Sequence, residues 1–236
     1  MPGKTLLCLG SGPGIGVSVA CTFAVRGFTH VALVSRDPSR LNEDKDKVLD
    51  AIQERGYSCQ VKIWACDLSD LDALRKTLEE IKSFGSLECV LFNAARVAGK
   101  PPLEESVEAI QNDFQLTNLA LYETAQWAIP LLKQTPSDNS PSLFVTSTTM
   151  LYKEPVPSLV SLSMVKSSQR ALMLSLHAIY GADVHVALLS VGGVVSPKKK
   201  YLSPENIASQ CWELYKQPKA KWEREMEIHA GSDEVF

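Results

Sequence analysis

Thr5-Leu6-Leu7-Cys8-Leu9-Gly10-Ser11-Gly12-Pro13-Gly14-Ile15-Gly16 sets the reading of the whole chain. A short apolar run reaches a cluster of glycines, and an apolar-patterned segment, Val17 to Arg26, follows at once. That order reads as a buried strand, a tight turn and the first turn of a helix. Glycine admits positive φ and places no Cβ between the backbone and a ligand. The N–H groups at a helix start, on the positive end of its dipole, suit a phosphate. A Gly-x-Gly-x-x-Gly fingerprint would need glycine at position 15, where Ile15 stands. Gly10, Gly14 and Gly16 instead meet a Gly-x-x-x-Gly-x-Gly spacing, with Ser11, Gly12 and Ile15 completing the loop. No Gly-Lys-Ser/Thr follows, which excludes a Walker loop. A glycine-rich turn without a ligand is the plainer alternative, and the strand before and helix after count against it.

Working outward, His30–Ser35 reads as a second buried strand and Gln60–Cys66 as a third. Glu88–Phe92, Leu143–Thr146 and Val184–Ser190 follow, with Glu227–Ala230 a candidate seventh. Between them lie helical patterns: one through Leu41, Val48 and Ile52 that stops at Gly56, and one from Leu71 to Ile81 with Ser69 as a candidate cap. Further helices are expected over 103–132, 158–179 and from Pro204 onward. Strands that alternate with helices and run as continuous apolar stretches mark a parallel sheet covered on both faces. The expected architecture is one doubly wound α/β domain over residues 1–236, with ligands beyond the C-terminal ends of the strands.

Composition narrows the function classes. The chain has 236 residues, 45% of them hydrophobic, and a net charge of −3, so it carries no basic footprint for nucleic acid. Lys198-Lys199-Lys200 is too short to change that. No apolar run reaches the roughly 18 residues of a membrane helix, and the N-terminus runs straight into the first strand, so neither membrane anchoring nor a signal peptide is expected. The six cysteines form no CxxC and no Cys/His cluster. They read as small buried hydrophobes in a reducing compartment, which predicts a cytoplasmic protein without a metal site.

The strand ends then bear a set of residues in a telling order: Asp67-Leu68, Asn93-Ala94-Ala95, Asn118, Ser147, Lys166, and Val191-Gly192-Gly193-Val194-Val195-Ser196. With the glycine loop, this series resembles the short-chain dehydrogenase/reductase family across nearly the whole chain. The resemblance implies a Rossmann-like fold of about seven strands, a nicotinamide cofactor and a small-molecule substrate. It assigns Asp67 and Leu68 to the adenine, Asn93 and Ala94 to the cofactor, and Gly192, Val194 and Ser196 to the nicotinamide side. It implies catalytic roles for Asn118, Ser147 and Lys166, with Lys166 also on the cofactor ribose, and a homodimer or homotetramer. Thr148 and Thr149 stay open as occupants of the serine position, because the family spacing points to Thr149.

Cofactor choice turns on Ser35-Arg36-Asp37. NAD-binding folds place an acid at the end of the second strand to hold the ribose 2′-hydroxyl. Here neutral Ser35 stands at that position and Arg36 follows, able to fork onto a 2′-phosphate that an acid would repel. NADP is favoured; NAD returns if Asp37 turns inward.

One residue departs from the resemblance. Four positions before Lys166, where the family keeps its proton-donating tyrosine, stands Leu162. Ser163 is a far weaker acid than a phenol, and Tyr152 is better read as a surface residue. A second departure is the short segment Pro197–Ser203, where the family inserts a substrate-covering lid. Three functions stay open: an NADP-dependent oxidoreductase with an atypical proton donor, an NADP-binding pseudoenzyme, or a non-redox catalyst such as an isomerase or cyclase.

Overall fold

A computed structural model describes residues 3–136, 140–153 and 156–231, the side chains of Tyr152 and Lys153 excepted. Its strands are β1 (Lys4–Leu9), β2 (His30–Ser35), β3 (Gln60–Ala65), β4 (Ser86–Phe92), β5 (Ser142–Thr148), β6 (His185–Gly192) and β7 (Glu225–His229). They form one sheet in the order β3-β2-β1-β4-β5-β6-β7, and every neighbouring pair is parallel. The helices are α1 (Ile15–Ala24), α2 (Pro38–Arg55), α3 (Leu71–Ile81), α4 (Val107–Phe114), α5 (Ala120–Leu132), α6 (Met150–Lys153), α7 (Val160–Tyr180) and α8 (Pro204–Tyr215). This is the doubly wound, Rossmann-like α/β fold that the sequence predicts.

Alternation along each strand divides the core. Leu6, Cys8, Val31, Leu33 and Leu91 face Phe23, Leu41 and Leu214 from α1, α2 and α8. Leu7, Leu9, Val34, Val90 and Leu143 face Leu74, Leu121 and Met173 from α3, α5 and α7. Each such leucine or phenylalanine contributes roughly 1.5–3 kcal/mol by burial, and strands apolar on both faces follow from having helices on both sides. The two edge strands, β3 with Lys62 exposed and β7 with Glu227 and His229 exposed, depart from the continuous apolar pattern. Among the described residues, no helix is long and apolar enough to cross a membrane.

Several element ends differ from the sequence reading. Asp70, not Ser69, caps α3 by accepting from the N–H groups of Asp72 and Ala73; the Ser69 hydroxyl donates instead to Asp67. A carboxylate accepts two N–H bonds at once and carries charge that suits the helix dipole. The helix expected over 103–132 starts at Val107, capped by Ser106, and is broken by a π-helical turn at Gln115–Leu119. A 3₁₀ turn, Pro157–Leu159, precedes α7, and β7 begins two residues earlier than expected. The acidic end of the chain, beyond Gly231, lies outside the described residues.

Strand order reverses at β1, whose two neighbours β2 and β4 lead away in opposite directions. The crevice beyond Leu9 and Phe92, which pair in register, is therefore where this topology receives a ligand.

Candidate functional site

The glycine loop opens that crevice, and its glycines do two different jobs. Gly10 has φ +87°, and a Cβ there would lie 2.5 Å from the Ala94 nitrogen. At Gly16 a Cβ would lie 2.9 Å from the Gly10 carbonyl oxygen. Both are required by the chain's own packing. Gly12 and Gly14 are not: a Cβ at either would meet nothing within 4 Å. Their bare backbone faces open space just ahead of α1, the surface a pyrophosphate needs.

Around this loop the polar side chains are tied down. Ser11 donates its hydroxyl to buried Asp44 on α2 at 2.7 Å, and burial raises the Asp44 carboxyl pKa. The Asn93 amide donates to the Gly10 carbonyl at 2.9 Å and accepts from the Thr146 hydroxyl at 2.8 Å, joining the ends of β1, β4 and β5. Asp44 is absent from the sequence reading because it sits in a charged run. Its spacing with Leu41, Val48 and Ile52 was the available signal, since all four share the buried stripe of α2.

A cleft of about 400 Å³ lies over the β1–β2 end of the crevice, lined by Gly12, Ser35, Arg36, Arg40, Leu68 and Ala94 among others. Asp37, on which the NAD alternative rests, lines the same cleft. Its carboxylate accepts from the N–H groups of Ser39 at 2.9 Å and Arg40 at 3.2 Å, capping α2. Arg36 and Arg40 line the cleft beside it, two cations to one capping carboxylate. Asp67 closes its own turn onto Ser69, while Leu68 is buried in the cleft wall.

The other end of the crevice is built from β5, the π-helical turn and α7. Asn118 sits in the π turn, buried, with neither side-chain atom bonded; the buried Ser147 hydroxyl at the end of β5 is likewise unpartnered. Thr148 accepts from the Met150 N–H, so its hydroxyl is committed to a turn. Lys166 is 6% exposed. Its ammonium donates to the Thr146 carbonyl at 2.8 Å and to Gln169 Oε1 at 2.9 Å, and Gln169 Nε2 donates to the Thr117 carbonyl of the π turn at 3.0 Å. Burial with no carboxylate partner lowers the Lys166 pKa to about 8. Gln169 was not anticipated; it holds the lysine by the amide at i+3.

Leu162 packs with Leu151 and Val165 in a small apolar cluster, against Ala95, Val156 and Leu159. The turn of α7 that carries it is anchored next door. Ser161 donates to Asp113 at 2.5 Å, and Asp113 accepts two bonds from Arg96 at 2.6 and 2.7 Å. Ser163 donates back to the Leu159 carbonyl within the helix. The Tyr152 side chain lies outside the described residues.

After β6, Gly192 lies against Thr149, and Val194 is exposed. Ser196 accepts from the Lys198 N–H at 3.3 Å and donates its own N–H to the Leu202 carbonyl at 3.1 Å. Leu202 is fully buried in the core, so the segment where a lid is expected is folded onto the body instead. Among the described residues no group of three or more His, Cys, Asp or Glu could hold a metal ion.

The sequence model of the short chain dehydrogenase family matches residues 4–206. A short chain dehydrogenase/reductase from Claviceps purpurea is 26% identical over 83% of this chain and 64% of its own length. Short-chain dehydrogenase/reductase 3 from Bos taurus is 24% identical over 73% of this chain and 54% of its own. The chain thus spans between half and two thirds of these relatives. In structure it is similar to an alcohol dehydrogenase from Thermococcus sibiricus complexed with 5-hydroxy-NADP (TM-score 0.81, 24% identity, 95% of both chains). It is also similar to L-sorbose reductase from Gluconobacter frateurii complexed with NADPH and L-sorbose (TM-score 0.83, 17% identity, 100% of this chain and 98% of the other). Those two likenesses show the fold, and the match over residues 4–206 places the chain in the short-chain dehydrogenase family of oxidoreductases.

Proposed function

We propose that this chain binds NADP(H) and uses it on the carbonyl/alcohol pair of a small molecule, with a proton donor other than a phenol. The observation that carries the proposal is the wall formed by Arg36 and Arg40 beside the bare backbone of Gly12 and Gly14, with the Asp37 carboxylate engaged as the cap of α2. A guanidinium forks onto a phosphate, and the one carboxylate in the lining, Asp37, is engaged by the N–H groups of Ser39 and Arg40. The solved relatives that hold 5-hydroxy-NADP and NADPH support the same choice. When bound, the cofactor would supply or accept a hydride. In this reading Leu68 packs the adenine, Asn93 and Ala94 shape the floor, and Gly192, Val194 and Ser196 border the nicotinamide side.

The remaining chemistry falls to the chain's own groups. The Ser147 hydroxyl, buried and uncommitted, polarises a substrate carbonyl, and Asn118 holds the adjoining polar position. Lys166 Nζ, with its pKa brought to about 8 by burial, releases a proton near neutral pH far more readily than a lysine in water. Leu162 transfers none. General acid–base catalysis is worth about 10²–10⁴-fold, so turnover on ordinary carbonyls is expected to be slow. One observation favours a second reading, an NADP-binding pseudoenzyme: the donor position is occupied by a packed apolar cluster rather than a polar gap.

Exposed Phe114, Tyr122 and Met164 on α4, α5 and α7 support the homodimer or homotetramer that the family resemblance implies. Free thiols at all six cysteines fit a cytoplasmic setting. The test is thermal: NADPH raises the melting temperature more than NADH does. No shift with either at millimolar concentration would remove the proposal altogether. Silent NADPH consumption across a broad carbonyl panel, alongside a clear shift, would select the pseudoenzyme.

A further inference from the structure

Leu162, Lys166 and Gln169 follow one another at spacings of four and three, so they share one stripe of α7. Gln169 is the least accessible of the three, at 0% exposed. A buried amide has to use both of its ends. Gln169 Oε1 accepts from the Lys166 ammonium at 2.9 Å, and Nε2 donates to the Thr117 carbonyl at 3.0 Å. Neither contact can be reversed, because an ammonium only donates and a carbonyl only accepts. The two partners therefore fix the amide in one orientation.

Thr117 precedes Asn118 in the π turn Gln115–Leu119. Asn118 makes no side-chain hydrogen bond, so its place is set by packing and by the backbone that carries it. Such turns are rare and occur mostly at functional sites. Two glutamines hold this one. Gln115, its first residue, donates to the Ser69 carbonyl beside Leu68 at 2.6 Å, and Gln169 reaches Thr117 from α7. Only Gln169 also holds a charged group.

We propose that Gln169 is a positioning residue, a single amide that fixes the Lys166 ammonium against the turn bearing Asn118. This role deepens the oxidoreductase reading above and rests on it for what Lys166 and Asn118 do. It keeps those two groups at a set separation although neither bonds the other. Leucine at position 169 would meet neither partner. An ionised glutamate would meet the lysine and give the Thr117 carbonyl no donor.

The test is NMR of the full chain without cofactor. It follows the Lys166 ¹³Cε resonance through a pH titration and the Asn118 side-chain amide pair at fixed pH. Each signal is identified by its absence from Lys166→Met or Asn118→Ala. Burial brings the Lys166 pKa to about 8. Gln169→Leu takes an acceptor from the ammonium and should bring it to about 7 or lower. Gln169→Glu sets a carboxylate beside it and should bring it to about 9 or higher. A side chain that only fills space would change the melting temperature and leave the titration in place. Gln169→Leu should also shift the Asn118 pair. Gln115→Leu loosens the same turn from its other side, so it should shift the Asn118 pair and leave Lys166 near 8. If Gln169→Leu does not fold, the sign of the shift in Gln169→Glu decides. A Lys166 titration unmoved by Gln169→Glu, or moved as far by Gln115→Leu as by Gln169→Leu, would overturn the proposal. So would an Asn118 pair unmoved by Gln169→Leu. Absence of an NADPH melting shift from wild type would count against the cofactor reading alone, since these titrations contain no cofactor.

Discussion

On the β1–β2 side of the crevice the chain leaves space and lines it with two arginines and one capping aspartate; on the β5–α7 side it fills space with leucine and turns its cation inward. Gly12 and Gly14 leave the backbone bare, and Arg36 and Arg40 face an open cleft of about 400 Å³. Across the crevice, Leu162, Leu151 and Val165 pack together, and Lys166 is consumed by Thr146 and Gln169. The contrast teaches that holding a cofactor and using it are encoded by separate elements. A backbone loop followed by a helix suffices for the first. The second needs individual side chains at a strand end and on one helix face, so a single replacement bears on it directly.

The largest expected effect comes from restoring the missing group. Leu162→Tyr should raise NADPH-dependent carbonyl reduction by about 10²–10⁴-fold. Overpacking the cluster would cost about 1–3 kcal/mol, which a melting curve registers separately. If the folded variant is no faster than wild type, the chemical half of the crevice lacks more than a proton donor. Brisk wild-type turnover would break the comparison outright, since leucine would then occupy no essential position.

Glycine substitutions sharpen the other half. Gly10→Ala combines φ +87° with a 2.5 Å approach to the Ala94 nitrogen, so it should destabilise the fold by more than about 2 kcal/mol. Gly12→Ala meets no atom, so denaturant unfolding should change by less than about 1 kcal/mol while NADPH affinity falls. Unchanged affinity in Gly12→Ala would mean that the open backbone is not where a phosphate rests.

Lys166 gives the comparison a pH signature. Its pKa is about 8 in the fold against an ordinary 10.5, so between those values the unfolded chain binds more protons than the native one. Stability therefore rises with pH across that window, and the burden of the buried charge is fully present below pH 8. Relative to Lys166→Met, wild type should gain up to about 3 kcal/mol between pH 8 and 10.5, read from urea unfolding at each pH. A flat difference would mean that the ammonium is solvated, and Lys166 would lose its standing as a proton source near neutrality.

How much of this was readable in advance follows from what each feature depends on. The sheet, its helices and the glycine loop depend on local pattern, and Thr5–Gly16 alone predicts strand, turn and helix. Leu162 was legible because it is one position in a fixed helical spacing. Asp113 was not, because its partners Arg96 and Ser161 are 17 and 48 residues away and meet it only where α4 packs on α7. The inward path of Lys166 was hidden because it is set by the Thr146 carbonyl of β5, 20 residues away, whereas Gln169 at i+3 on α7 was a spacing open to reading. The choice between Ser69 and Asp70 as a cap was a contest between adjacent good cappers, which only the observed hydrogen bonds decide.

Arg36 offers the smallest and most discriminating change. The residue is exposed, so removing it should leave stability within about 0.5 kcal/mol of wild type. Charge-assisted bonds to a phosphate are worth about 1.5–3 kcal/mol, so Arg36→Ala should weaken NADPH by roughly 10–100-fold. NADH lacks the 2′-phosphate, and its affinity should barely move. Arg40 lines the same cleft and retains part of the charge, which places the expected loss toward the lower end of that range. Paired calorimetric titrations of the two cofactors read the difference directly. Equal losses would show that Arg36 contacts a part common to both cofactors, and the cation-lined half of the crevice would then bind without choosing between them.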